Sequence, residues 1–153
     1  MSIDLDTIRT TMPAAVPFIS TLGLEYLELS ESHAVLGMPD QDRLHNHVGG
    51  PHAGAMFSLG ESASGAVVLA AFSDLLAEVT PLAASAEIRF LTLAKGDVQA
   101  RATLGRSVPD VKAELATGGL PHFPVQVQIT DAQGAVTGEM TVNWALKPHR
   151  RPA

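Results

Sequence analysis

The chain of 153 residues is 46% hydrophobic and 17% charged, which is enough apolar material for the core of one domain and too little charge for a disordered chain. It contains no cysteine, which excludes a disulfide framework, a thiolate metal site and a cysteine nucleophile. A net charge of −6 argues against binding to nucleic acid, because that affinity comes mainly from neutralised phosphates. The segment 1–6 carries two aspartates and no basic residue, so we expect no signal peptide and a cytoplasmic protein.

The first half of the chain is dominated by one long apolar segment. Residues 53–73 contain Glu61 as their only charged residue and would nearly span a bilayer. Three glycines, several serines and the central carboxylate make a membrane span costly, so we predict a buried helix in a soluble domain. The predicted elements are, in order, a short helix over 3–12 that Pro13 ends, strands over 22–29 and 32–38, a polar loop over 40–51 and the long helix over 52–76.

Alternating apolar and polar residues in the second half predict strands with one buried face and one wet face. The clearest example is 123–131, where Phe123, Val125 and Val127 alternate with polar side chains. In the first of these strands, one face is predicted to carry Leu82, Ala84, Ala86, Ile88 and Phe90. The full set is strands over 82–93, 97–106, 123–131 and 135–147, a turn over 131–134, and a short helix between Ser107 and Phe123.

The order of these elements defines a fold class. Strands that follow one another through short connections form an antiparallel sheet, and an apolar sheet face needs a cover. The long helix is the only large apolar element available for that purpose, and its small residues allow a sheet to curl closely around it. We therefore predict a single α+β domain over 1–153, with its core at about 15–147, in the hot-dog arrangement of one central helix wrapped by a curled antiparallel sheet.

The start of the long helix carries the residues with the clearest chemistry. A polar loop supplies Asn46 and then His52, and the backbone N–H groups of Ala53 and Gly54 lack partners inside a helix that starts there. Such N–H groups bind anions and stabilise an oxyanion. Glu61 follows on an otherwise apolar helix, where a carboxylate suits a general base or a nucleophile.

The spacing of these groups predicts a dimer. Glu61 lies nine residues after His52, which is roughly 13 Å at about 1.5 Å per residue, too far for both to act on one substrate. Two subunits resolve the problem if each site combines the helix start of one chain with the glutamate of the other. The wet strand faces favour a homodimer over a tetramer packed sheet on sheet.

The pattern Asn46-x5-His52-x-Gly54-x6-Glu61 resembles the active-site segment of hot-dog acyl-CoA thioesterases of the phenylacetate-pathway type. The segment 52–65, HAGAMFSLGESASG, is especially similar to a branch of these proteins that is often described as a domain of unknown function. The resemblance implies that Asn46 orients the thioester carbonyl or the attacking water, that His52 shapes the helix entry, and that the N–H groups of Ala53 and Gly54 form the oxyanion hole. It implies that Glu61 is base or nucleophile.

This chain departs from the usual pattern at two positions. Ala53 replaces the first glycine of a pair, which a backbone donor tolerates if its φ is negative. Glu61 replaces a common aspartate, so its role as base or nucleophile stays open. Ser85 is the candidate for an assisting hydroxyl and Lys95 for a contact with a CoA phosphate.

Other interpretations remain open for each residue. Glu61 could belong to a buried hydrogen-bond network at a dimer interface, His52 could only start the helix, and Asn46 could only form a turn. A non-catalytic acyl-CoA or fatty-acyl binding protein is the alternative function, and a lyase is a weaker one. We expect no cofactor and no metal, because the candidate ligands do not follow a familiar spacing, namely Asp42, His45, His47 and His52. The expected partners are the acyl-CoA substrate and a second copy of the chain, without nucleic acid or membrane.

Overall fold

A computed structural model describes residues 4–149 and has one long helix against a six-stranded sheet. The helices are α1 (Leu5–Ala15), α2 (Pro17–Leu22), α3 (Ala53–Ala71) and α4 (Val108–Ala116). The strands are β1 (Glu25–Leu29), β2 (His33–Met38), β3 (Val79–Phe90), β4 (Val98–Leu104), β5 (His122–Asp131) and β6 (Val136–Pro148). The predicted α+β hot-dog fold, with α3 wrapped by a curled and unclosed sheet, is confirmed.

The sheet order is β1-β2-β4-β5-β6-β3, and every neighbouring pair is antiparallel. The alternating residues of β4, β5 and β6 turn one face toward α3, so that Phe123, Val125 and Val142 are 1% exposed or less. Gly60 explains how closely α3 approaches this sheet, because a Cβ there would lie 2.7 Å from the sulfur of Met140. Helix and sheet therefore share one core.

The N-terminal region differs from the sequence prediction. Helix α1 does not stop at Pro13 but continues to Ala15, because a proline in the last turn removes only one hydrogen bond and the N–H of Val16 closes that turn on the carbonyl of Met12 (2.8 Å). The predicted start at residue 3 lies outside the described residues. The predicted strand 22–29 begins only at Glu25, because Leu22 ends α2 and Gly23 follows it with a left-handed φ of 67°.

The long helix is shorter than predicted. It ends at Ala71 rather than at 76, and a 3₁₀ turn over Ser73–Leu75 follows. Within residues 4–149 it is the one helix long and apolar enough to cross a membrane by length and composition, but most of its length is buried in the core. It is a core helix of this domain.

Strand β3 has an irregularity that alternation could not reveal. It pairs with β6 alone and forms an edge of the sheet. A bulge between Ala83 and Ser85 shifts its register, so Ala86 pairs with inward-facing Val142, whereas Leu82 pairs with Ala145 and is 46% exposed. The prediction of one continuous apolar face from residue 82 to residue 90 was therefore wrong.

Candidate active site

The entry of α3 is organised by His52. Its ring is the N-cap of the helix, and Nδ1 accepts a hydrogen bond from the N–H of Gly54 (2.9 Å). Because Nδ1 is an acceptor, the neutral ring carries its proton on Nε2. The Gly54 N–H is thus occupied in this conformation, whereas within residues 4–149 the N–H of Ala53 has no hydrogen-bonding partner. No non-glycine residue in this described range has a positive φ, so Ala53 meets the requirement for a backbone donor.

Asn46 holds the loop that leads into α3. Its Oδ1 accepts hydrogen bonds from the N–H groups of Val48 (3.0 Å) and Gly50 (3.2 Å), and its Nδ2 donates to the carbonyl of Pro51 (3.3 Å). These bonds use both lone pairs of Oδ1 and one of the two amide protons. Asn46 therefore forms a turn and keeps one N–H available for a ligand.

Lys95 faces the same cavity as Asn46 and Ala53. This cavity has a volume of about 380 Å³, and Phe90 and Met56 supply part of its apolar wall. The backbone of Lys95 is held by Asp131, whose carboxylate accepts its N–H at 3.1 Å. Burial would raise the pKa of Asp131, but the N–H groups of the two loops that bond to its carboxylate outweigh burial and lower the pKa below its ordinary value. A fixed loop thus carries a cation to the rim of the cavity.

Glu61 lies on α3 at a different cavity. Burial raises the pKa of its carboxyl above the ordinary value. Tyr26 lines the same cavity, and burial, with the negative charge of Glu61 as a second cause, raises the pKa of its phenol to about 12. The backbone carbonyl of Glu61 accepts a hydrogen bond from the hydroxyl of Ser64 (2.6 Å), which in turn accepts one from the indole N–H of Trp144 (3.0 Å). This chain of bonds ties the turn of α3 that carries Glu61 to strand β6.

One subunit does not bring the expected site residues into one place. Asn46, Ala53 and Lys95 share the first cavity, whereas Glu61 lines another. Ser85 lies on the outer sheet face beyond the bulge, where its hydroxyl accepts a hydrogen bond from Asn143 (3.0 Å). This position turns the Ser85 side chain away from α3 and from both cavities.

Sequence reasoning missed the surroundings of Glu61. The single tyrosine and the single tryptophan of the chain both lie at its cavity, and Ser64 is fully buried between α3 and β6. The available signal was that the single tyrosine of the chain has a polar end. However, Tyr26 and Glu61 are far apart in the sequence, so no local periodicity connects them. Only the packing of β1 against α3 reveals the pair.

An antiparallel sheet wrapped around α3, with polar groups at the helix entry and a carboxyl in mid-helix, defines the chain as a hot-dog-fold protein. Residues 6–146 match the model of the family described as "Domain of unknown function (DUF4442)". The chain belongs to that family. No curated protein matches its sequence.

Solved structures of similar proteins support the same class. A protein of unknown function from Pseudomonas aeruginosa, described as a probable thioesterase, is 29% identical with a TM-score of 0.86 over 97% of this chain and 99% of the other. A thioesterase family protein from Silicibacter pomeroyi is 19% identical, with a TM-score of 0.78 over 95% and 100%. The PaaI protein from the phenylacetic acid degradation operon of Escherichia coli is 16% identical, with a TM-score of 0.73 over 97% and 94%. The last two similarities establish the fold.

Proposed function

We propose that this protein is a cytoplasmic acyl-CoA thioesterase that hydrolyses a thioester to a free acid and CoA. The observation that carries the proposal is Glu61, a half-buried carboxyl with a raised pKa on a helix whose entry presents the unpartnered N–H of Ala53. A carboxylate poised in a cleft and a donor for a developing oxyanion are the two groups that acyl transfer to water requires.

The chemistry follows from these two groups. The Glu61 carboxylate takes a proton from a water molecule, whose oxygen attacks the carbonyl carbon of the thioester. The carbonyl oxygen becomes an oxyanion that the N–H of Ala53 stabilises, with the second amide proton of Asn46 beside it in the same cavity. The carbon–sulfur bond then breaks, and the proton held by Glu61 passes to the leaving sulfur. A raised pKa suits this exchange of protons near neutral pH, so we assign Glu61 the role of general base; an anhydride trapped by hydroxylamine would instead make it the nucleophile.

A homodimer would assemble this site from two chains. The cavity of Asn46 and Ala53 does not include Glu61, in agreement with the roughly 13 Å along the helix between His52 and Glu61. Strand β3 is a long edge strand, and Phe90 beside the cavity is 50% exposed. Long apolar edges are templates for pairing with another chain. A second copy that pairs along β3 would cover this edge and bring the helix entry of one subunit toward the glutamate of the other.

The CoA part of the substrate would lie on the side of Lys95. Its ammonium is the cation at the cavity that contains Asn46 and Ala53, among the residues that the structure describes there. A cation at the rim can contact a phosphate group without entering the apolar interior. Lys95→Ala is therefore expected to raise KM and to leave kcat nearly unchanged.

The proposal is tested by release of free thiol from a panel of acyl-CoAs, from acetyl to palmitoyl with benzoyl and phenylacetyl. Glu61→Gln should abolish turnover, whereas the matched change Glu139→Gln on the exposed outer sheet face should not. The kcat/KM of the wild type should fall as the pH drops through the raised pKa of Glu61. Full activity of Glu61→Gln would overturn the proposal.

The alternative is an acyl-CoA binding protein without turnover. The observation that favours it is the hydrogen bond from Gly54 to His52, which occupies one of the two N–H groups expected to form the oxyanion hole. A protein of this kind would show an acyl-CoA-dependent rise in Tm and no release of thiol on any member of the panel.

A further inference from the structure

The cavity at Glu61 has a floor and a rim of different character. Its volume is about 190 Å³, and it lies between α3 and the N-terminal helices α1 and α2. The floor is made of side chains that are 8% exposed or less, namely Ile19, Tyr26, Ala66 and Trp144. The rim is more open and includes Glu61 and Gly65, whereas Val16, between α1 and α2, belongs to the wall opposite α3. The carboxyl of Glu61 thus stands at the entrance of an apolar cavity.

Gly65 keeps this entrance open. Glycine inside a helix costs about 1 kcal/mol relative to alanine. At position 60 packing requires a glycine, because a Cβ there would lie 2.7 Å from the sulfur of Met140. At Gly65 the nearest atoms to a Cβ are those of the Trp144 ring at 3.4 Å, which is ordinary contact. Packing therefore does not demand a glycine at position 65, and the space above it is part of the cavity.

The chemistry of the lining selects one part of the substrate. Within residues 4–149 no cationic side chain lines the cavity, so it offers nothing to the phosphates of CoA. The phenol of Tyr26 stays neutral because its pKa is about 12. Apart from Glu61, Tyr26 and Ser62, the wall consists of apolar side chains and one glycine. These features suit a hydrocarbon group whose carbonyl end stays at the rim.

We propose that this cavity holds the acyl group of the substrate and limits it to a single aromatic ring or a chain of about six to eight carbons. The size follows from comparison with apolar cavities of about 150 Å³ that hold one benzene molecule. Helices α1 and α2 set the limit, because they close the cavity on the side away from α3. The inference rests on the proposed function, since it is Glu61 that places the scissile carbonyl at the rim.

The test measures how kcat/KM depends on the acyl group across saturated acyl-CoAs from acetyl to palmitoyl, with benzoyl-CoA and phenylacetyl-CoA. Wild type should peak in the proposed range and lose at least about tenfold for palmitoyl. Gly65→Ala adds a methyl group at the entrance and should move the optimum to shorter groups while Tm stays equal or rises. Val16→Ala should move it to longer groups. The same change at half-buried Val136, beside the β5–β6 turn, should leave the profile as in wild type.

Opposite shifts from Gly65→Ala and Val16→Ala would support the inference, because general damage to the fold cannot produce them. An unchanged chain-length profile in both folded variants would overturn it. If wild type hydrolyses none of the substrates, the proposed function fails, and the cavity is judged by the Tm shift that each acyl-CoA produces. If Tm rises only with acyl groups up to a certain length, and Gly65→Ala shortens that length, the acyl-binding role of the cavity is still supported. Equal Tm shifts at all acyl lengths would reject that role.

Discussion

The ionised form of Glu61 that catalysis requires is the form that burial disfavours in the folded chain. Burial raises the pKa of this carboxyl because the folded state favours its neutral form. The contribution of the group to stability is therefore fully present below its pKa in the unfolded chain. That contribution is lost as the pH rises through the pKa of the folded state. Glutamine does not ionise and escapes the loss. We therefore predict that Glu61→Gln has a higher Tm than wild type at pH of about 7 and that the difference disappears below about pH 4. Thermal unfolding across this range checks it, and a lower Tm for the variant at neutral pH would instead indicate a carboxylate held by partners.

His52 joins a structural role to a catalytic expectation, and two substitutions separate them. Its Nδ1 accepts the Gly54 N–H, so His52→Ala should destabilise the protein by about 0.5–2 kcal/mol through loss of the N-cap. Asparagine is a strong N-cap residue, so His52→Asn should recover most of that free energy of unfolding. If His52 only organises the helix entry, thiol release recovers with stability in His52→Asn. Activity that stays low in a fully stable His52→Asn would show that the ring itself touches the substrate.

For the helices and strands, the sequence predicted the features that depend on local periodicity and missed those that depend on the pairing register. Strands β4, β5 and β6 alternate regularly, and α3 is the one apolar element large enough to cover them, so the architecture followed from these alone. The bulge beside Ser85 adds one residue to an alternation that otherwise continues, and no residue type marks it. The same applies to the pair of Tyr26 and Glu61, which meet only because β1 packs beside α3. The motif around His52 could be predicted because it is contiguous, whereas the cavity could not.

Two loops at the sheet end depend on one side chain. Asp131 accepts the N–H groups of Lys95, Gln133 (3.0 Å) and Ala135 (3.1 Å), which joins the β3–β4 loop to the β5–β6 turn. Its pKa is lowered, so its contribution to stability is present above the pKa of the unfolded chain and lost as the pH falls through that of the folded state. Asp131→Asn should lower Tm at neutral pH, and the deficit should shrink below about pH 4. If the Tm difference between Asp131→Asn and wild type stays constant as the pH falls below about 4, the effect comes from the altered hydrogen bonds and not from the lost charge.

The proposed active site needs two chains, and the edge of the sheet offers a place for the second one. Strand β3 leaves an edge that a second copy would cover, so light scattering should give about twice the chain mass of 16.0 kDa. A charged residue on the inward face of this edge, as in Ala86→Glu, should reduce that mass and the activity together. A dimer by itself does not prove that each active site is built from both chains. Each subunit of a dimer could also contain a complete site of its own.

Complementation between two inactive variants decides this question. Ala53→Pro removes the proposed oxyanion donor with little cost to the fold, because proline is favoured at the first position of a helix and His52 already has the extended backbone (φ −62°, ψ 141°) that precedes a proline. Mixed through unfolding and refolding with Glu61→Gln, it gives heterodimers in half of the molecules. If each site takes Ala53 from one chain and Glu61 from the other, every heterodimer contains one site with both changes and one site with neither. About a quarter of the wild-type activity should then return, by the symmetry of a two-fold dimer. If both residues act within one chain, every site in the mixture carries a change and no activity returns.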